Sequence, residues 1–340
     1  MECPRAPAAA IRAGAALLAL AAACAAAAPC PGDGFVVIRD IPYRTIPGVA
    51  PRLLSLDLYR PVVGPECAPA PVMIWVHGGA WAAGDKANRV ATKVRWFTEN
   101  GWILVAVNYR LSPFPIPADP SALDPGRVVW PAHGEDVAAA VAWVHANVAS
   151  YGGDPDRISL MGHSAGAHIV AALATDPALL GGEGLSPATI RRCVALDTAA
   201  YDIPWRMTQV DLPGRMALLN AFGTDPAVWR EASPAAHVAP GACLPPFFVV
   251  VEGAAARLAQ ARRFVAALRR AGVPAVSLET PSLTHAEVNE AVGDPADTVL
   301  TPALASFLGI PYPPRPPCPG QRSGARLPPA RTGGPASSRR

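Results

Sequence analysis

The stretch Arg157-Ile-Ser-Leu-Met-Gly-His-Ser-Ala-Gly-Ala-His-Ile-Val-Ala-Ala-Leu173 constrains this chain more than any other. A short run of β-branched and apolar residues leads into Gly162-His163-Ser164-Ala165-Gly166, and a helix-forming segment begins at once behind it. Strand, tight Gly-flanked turn and helix form the context in which a G-x-S-x-G pentapeptide becomes a nucleophile elbow. The turn holds the serine in a strained backbone conformation, and the glycines let the next helix pack close behind it. Oγ of Ser164 is then lifted into the open above a helix N-terminus, which favours developing negative charge. A buried structural serine in a tight turn is the competing reading of the pentapeptide alone.

A second motif supplies what the first lacks. Pro71-Val-Met-Ile-Trp-Val76 reads as a buried strand and runs into His77-Gly78-Gly79-Ala80-Trp81. Acyl transfer needs backbone N–H groups aimed at the carbonyl oxygen as it turns into an oxyanion. A Gly-Gly loop at a strand end can bring bare backbone that close, and the N–H of Ala165 completes the hole. The oxyanion hole is therefore expected from Gly78, Gly79 and Ala165.

Further stretches carry a resemblance: Gly79-Ala-Trp-Ala-Ala-Gly-Asp-Lys86, Asn108-Tyr-Arg-Leu111, Pro131-Ala-His-Gly-Glu-Asp136 and Tyr151-Gly-Gly-Asp-Pro-Asp-Arg-Ile158. Together with the two motifs they make the chain resemble the α/β-hydrolases of the HGG-loop esterase/lipase group. Within that group it is similar to the BD-FAE (feruloyl-esterase-like) and kynurenine-formamidase-like branch, over about Phe35 to Leu308. The resemblance implies an α/β fold with a mostly parallel sheet, helices on both faces and a small lid insertion after the sixth strand. It implies Ser164 as nucleophile and His285 as base, no cofactor, and a small-molecule ester as substrate.

His285 also stands on its own residues. Val273 to Thr280 reads as a late strand, and Leu283-Thr284-His285 follows in a short loop, from which a histidine can reach across the sheet top to the serine. His133 and His145 fall on a predicted helix, and His237 lies in a Pro-flanked connection. His77, His163 and Trp81 are expected to line the substrate pocket; His163 and His168 flank the nucleophile, and for each the competing reading is a packed neighbour.

The acid is where the chain departs from the family pattern. Related enzymes place it in a Gly-x-x-Asp turn after the penultimate strand; here the turn reads Gly253-Ala-Ala-Ala256. Three carboxylates are available in its place. Asp197 ends the sixth strand in Leu196-Asp-Thr-Ala199, where sites of open α/β sheets collect; Glu252 ends the penultimate strand; Asp202 follows in Ala200-Tyr-Asp-Ile203. Asp197 ranks first, and a Ser-His dyad or a protein that binds without catalysis is the remaining option.

With 340 residues, 51% of them hydrophobic, the chain can bury one large core. Its net charge of +3 shows no basic face with interleaved aromatics, so nucleic acid is not an expected partner. Residues 1–28 read as a signal peptide, because Arg5 and Arg12 precede an Ala/Leu-rich run and small residues follow. That run is too short for a confident membrane span; Cys24 sits in a weak lipoprotein pattern. Export to the periplasm or beyond follows. The hydrolase domain is expected over 29–310, and 311–340, rich in Pro and Arg, as a disordered tail. Disulfides are possible after export; Cys30–Cys67 and Cys243–Cys318 are candidate pairs, Cys193 a buried thiol. No Cys/His cluster has metal-ligand spacing. Oligomeric state, acyl-chain length and ester against formamide preference stay open.

Overall fold

The computed structural model of the chain describes residues 30–32, 34–64, 67–114 and 123–312. The expected leader, Cys24 and nearly all of the expected tail lie outside them. Eight strands form one sheet: β1 (Phe35–Pro42), β2 (Ser55–Pro61), β3 (Ala70–Val76), β4 (Ile103–Val107), β5 (Gly153–His163), β6 (Cys193–Leu196), β7 (Phe247–Glu252) and β8 (Ala275–Thr280). Their order is β1-β2-β4-β3-β5-β6-β7-β8. The pairings β1–β2 and β2–β4 are antiparallel, and the others are parallel.

Among the described residues ten helices accompany it: α1 (Ala91–Glu99), α2 (Ala132–Asn147), α3 (Ala165–Thr175), α4 (Pro177–Gly181), α5 (Ile203–Met207), α6 (Leu212–Phe222), α7 (Pro226–Glu231), α8 (Ala255–Arg270), α9 (His285–Ala291) and α10 (Leu300–Leu308). Strand alternation divides the core between the two sheet faces. On β3, Val72, Ile74 and Val76 join the cluster that packs under α2, α3 and α8. Met73 and Trp75 point the other way, into the cluster under α1, α9 and α10. A strand covered on both faces must be apolar at every position, and β3 is buried throughout.

The sequence predicts a last helix from Ala296, whereas α10 begins at Leu300. Asp297 accounts for the shift, since its carboxylate accepts the N–H groups of Val299 (3.1 Å) and Leu300 (3.2 Å) and so starts the helix there. Cys30 and Cys67 form a disulfide that ties the start of the described chain to the β2–β3 connection, and Cys193 is a buried free thiol. Cys243 is disulfide-bonded too; Cys318, its candidate partner, lies outside the described residues.

Candidate active site

Ser164 stands between the end of β5 and the start of α3 with φ 55° and ψ −117°, a conformation that few non-glycine residues adopt. The strain is held from both sides. Its N–H donates to the Leu196 carbonyl at 2.9 Å, and its carbonyl accepts the His168 N–H at 3.1 Å. The flanking glycines are obligatory: a Cβ at Gly162 would lie 2.3 Å from the Gly166 carbonyl oxygen, and one at Gly166 2.2 Å from that of Val76.

Asp197 mirrors this geometry on the neighbouring strand. His163 pairs with Leu196 in the β5–β6 register, so the next residues, Ser164 and Asp197, leave the sheet side by side. Asp197 also has positive φ (52°), and its N–H extends the ladder to the Val250 carbonyl at 2.9 Å. Its carboxylate is fully buried. Oδ2 accepts Nδ1 of His285 at 2.5 Å, and Oδ1 accepts the Glu252 N–H at 3.1 Å. Burial alone would raise its pKa, but the His285 hydrogen bond, the Arg257 charge and the Glu252 N–H outweigh it and hold the carboxyl below its ordinary range.

His285 is the first residue of α9 and is fixed there by a capping box. The Thr284 side chain accepts the Glu287 N–H, and the Glu287 carboxylate accepts the Thr284 N–H at 2.8 Å. With Nδ1 donating to Asp197, the other ring nitrogen is left as a proton acceptor. The His285 carbonyl accepts Nε2 of His163 at 2.8 Å, and the two rings lie 4.5 Å apart. Burial, with the His285 charge second, pushes the His163 pKa down to about 3, so the ring beside His285 is neutral.

A cavity of about 430 Å³ opens here; His77, Gly78, Gly79, His163, Ser164 and His285 contribute to its wall. Gly79 has φ 122°, and a Cβ on it would meet the Ala83 carbonyl oxygen at 2.1 Å. Among the described residues, the N–H groups of Gly78, Gly79 and Ala165 donate to no protein acceptor. The loop that carries them is braced from below. Tyr109 donates to the His77 carbonyl (3.1 Å) and stacks on its ring, while Asn108 accepts the Lys86 N–H (2.6 Å) and donates to Asp85 (3.0 Å). Arg110 in turn forms a fork with the buried Asp136, at 2.7 and 2.8 Å. The Asn108-Tyr-Arg and Gly134-Glu-Asp stretches of the sequence are thus the scaffold of the glycine loop.

Three expectations need correction or sorting. Trp81 is expected in the substrate pocket, yet its ring is buried in the core, edge-on to His168 (5.3 Å) and Phe222 (4.8 Å). The positive φ of Ala80 and Trp81 turns the chain inward directly after the glycines. Glu252 and Asp202 do not face His285. Glu252 pairs with Arg257 at 3.1 Å, and Asp202 caps α5 through the Trp205 N–H at 3.0 Å. The insertion of α5, α6 and α7 packs on the body through Phe222 and Leu218, and none of its residues lines the cavity at Ser164.

One residue went unnoticed in the sequence. Arg257, in the first turn of α8, donates from Nη1 to the Asp197 carbonyl (3.0 Å) and lies 3.3 Å from Asp197 Oδ2. It directly follows Ala256, where related enzymes carry the acid. A basic residue next to an emptied acidic slot was the available signal.

Proteins named as esterases are among those this chain is similar to. The BD-FAE family model matches residues 56–184. Esterase LipQ of Mycobacterium tuberculosis is 36% identical over 300 residues, covering 84% of this chain and 64% of LipQ. The probable carboxylic ester hydrolase LipM of the same organism is 33% identical, over 69% of this chain and 53% of LipM. The chain therefore spans about three-fifths of the length of these relatives. Among solved structures, a carbohydrate esterase from gut microbiota superposes with a TM-score of 0.64 at 19% identity, over 83% of this chain and 98% of that one. Esterase B of Lactobacillus rhamnosis gives 0.63 at 20% identity, over 83% and 86%. At such identities the structural likeness establishes the fold.

Proposed function

We propose that this chain, an α/β-hydrolase-fold protein of the esterase group with BD-FAE similarity over residues 56–184, hydrolyses small carboxylic esters through an acyl-enzyme. The observation that carries the reading is the 2.5 Å contact between His285 Nδ1 and the buried Asp197 carboxylate, at the wall of a cavity shared with Ser164.

In the first half-reaction Ser164 Oγ adds to the ester carbonyl while Nε2 of His285 takes its proton. Asp197 fixes the tautomer that leaves Nε2 free and stabilises the imidazolium that forms. The carbonyl oxygen gains negative charge against the N–H groups of Gly78, Gly79 and Ala165, which have no protein acceptor to give up. His285 then protonates the departing alcohol, and water repeats the sequence to free the acid and restore Ser164. The neutral His163 beside His285 adds no like charge to the imidazolium.

The size of the cavity, about 430 Å³, suits a small or medium ester. Among the described residues no helix is long and apolar enough to cross a membrane. The signal-peptide pattern of 1–28 and the Cys30–Cys67 disulfide support export to an oxidising compartment. Turnover of short-chain p-nitrophenyl esters, measured for the protein beside Ser164→Ala and Asp197→Ala, tests the reading. Loss of turnover in both variants is expected. A wild-type rate no higher than that of Ser164→Ala, across esters and formamides, would instead make the protein a binder on the hydrolase scaffold.

A further inference from the structure

The end of the sheet opposite Ser164 carries a second polar cavity. Trp102, Met73, Met161 and Val194 all point into the core layer under α1, α9 and α10. The two-residue strand period therefore sends Pro71, Arg157, Ser159 and Arg192 to the same face, at the amino ends of their strands. On this face α10 stops at Leu308 and the chain turns away at Gly309. A cavity of about 320 Å³ is left at the uncovered margin.

Three arginines, Arg157, Arg191 and Arg192, contribute to its wall. Other arginines of the chain find carboxylates: Arg39 with Asp57, Arg110 with Asp136, Arg262 with Glu279. The side chains of Arg157, Arg191 and Arg192 have no carboxylate or hydrogen-bond partner among the described residues; the bonds of Arg191 and Arg192 are made by their backbone. Burial, and then the charges of Arg191 and Arg157, lower the pKa of Arg192, as expected for like charges gathered without a counter-ion. Arg192 is also held over the Phe307 ring, 6.0 Å from its centroid. Ser159 lines the same cavity; it is 1% exposed and its hydroxyl has no partner. The C-terminus of α10 offsets only about half a charge. The site thus combines an uncompensated excess of positive charge, forked donors and a buried hydroxyl.

We propose that this cavity binds a phosphate group, presented either by a small phosphate or phosphate monoester or by an anionic phospholipid. Guanidinium forks match phosphate oxygens two at a time, and three of them can surround one tetrahedral anion. The Ser159 hydroxyl donates a further bond from the floor. Trp102, Pro71 and Leu308 form an apolar side against which the rest of the ligand can lie. Ser159 on β5 precedes Ser164, which stands just past the end of that strand, by five residues, roughly 16 Å, so the site is separate from the ester-binding cavity.

The test is equilibrium dialysis of radiolabelled inorganic phosphate against the whole protein, with chloride used to match ionic strength. One saturable site per chain is expected. Arg157→Gln combined with Arg192→Gln should weaken it about tenfold or more, and Ser159→Ala more mildly. Arg262→Gln, which removes a surface arginine of equal charge, should leave it unchanged. Circular dichroism melts report whether each variant is folded. Flotation with phosphatidylcholine vesicles, with and without phosphatidylglycerol, separates the two sources. Capture by anionic vesicles alone, lost in the double variant, identifies the lipid, whereas phosphate binding without capture identifies the small ligand. Failure to bind either probe, or binding that the double variant retains in full, overturns the proposal.

Discussion

Arg257 and Asp197 face each other across the ends of β7 and β6, with Nη1 3.0 Å from the Asp197 carbonyl oxygen and 3.3 Å from Oδ2. The guanidinium thus comes from the segment that carries the acid in related enzymes, and serves an acid that has moved one strand inward, toward Ser164. Its charge helps to keep Asp197 ionised in a site that excludes water.

Substitutions around this pair should separate by rank. Asp197→Asn should lower kcat by about 10⁴, since the imidazole then loses its fixed tautomer. Arg257→Gln removes one charge-assisted contact and should lower kcat roughly ten- to a hundredfold. Loss of that positive charge also removes one of the interactions that hold the Asp197 carboxyl below its ordinary range. Glu252→Gln keeps the backbone N–H that Asp197 uses and should cost less than about threefold. Steady-state kinetics across pH on the three variants would test the order; an equal loss at Asp197 and Glu252 would sink it.

The glycine loop makes a separate prediction. A Cβ at Gly79 has no room, being 2.1 Å from the Ala83 carbonyl oxygen on a backbone with φ 122°. Gly79→Ala must therefore reshape the loop and misdirect the N–H groups aimed at the oxyanion. A fall in kcat of about 10² to 10³ with little change in KM is expected. A rise in KM at constant kcat would show that the loop binds substrate without stabilising charge.

Trp81 is informative because sequence and structure disagree about it. If the ring were in the pocket, Trp81→Ala would change KM and leave stability alone. Buried against His168 and Phe222, it should instead cost about 3–5 kcal/mol of stability. Guanidinium unfolding beside ester kinetics distinguishes the two outcomes, and an unchanged unfolding midpoint would contradict the packing described.

Legibility of this fold in the sequence follows the range of the interactions involved. Strands buried on both faces, such as β3, and the elbow around Ser164 are local patterns and could be read directly. His285 could be located because its loop follows a recognisable last strand. The acid was harder: its place depends on which strand end His285 can reach, a relation across 88 residues. Asp197 could be ranked but not separated by pattern from Glu252 and Asp202, each also a carboxylate near a strand or helix end. Arg257 left only the weak signal of a basic residue beside Ala256, and the inward turn of Trp81 left none, since it arises from positive φ at the non-glycine residues Ala80 and Trp81.

The buried histidines make stability depend on acid. Burial pushes the pKa of His133 to about 3, that of His163 to about 3 and that of His168 to about 4, against 6.5 for a free imidazole. The folded protein therefore keeps all three neutral at pH values where the unfolded chain has already taken up a proton on each. Unfolding binds protons, so stability is fully present above about pH 6.5 and declines as the pH falls toward 4. Each group contributes about 1.4 kcal/mol per pH unit in that window, giving about 4 kcal/mol per unit for the three near pH 5. The depressed carboxyl of Asp197 acts in the same direction, but only below its ordinary value of 3.8. Denaturant unfolding at closely spaced pH values should give a steep slope between pH 6 and 4.5, reduced by about a third in His168→Gln. A stability that stays flat from pH 7 to 5 would mean that these rings reach solvent in the folded protein.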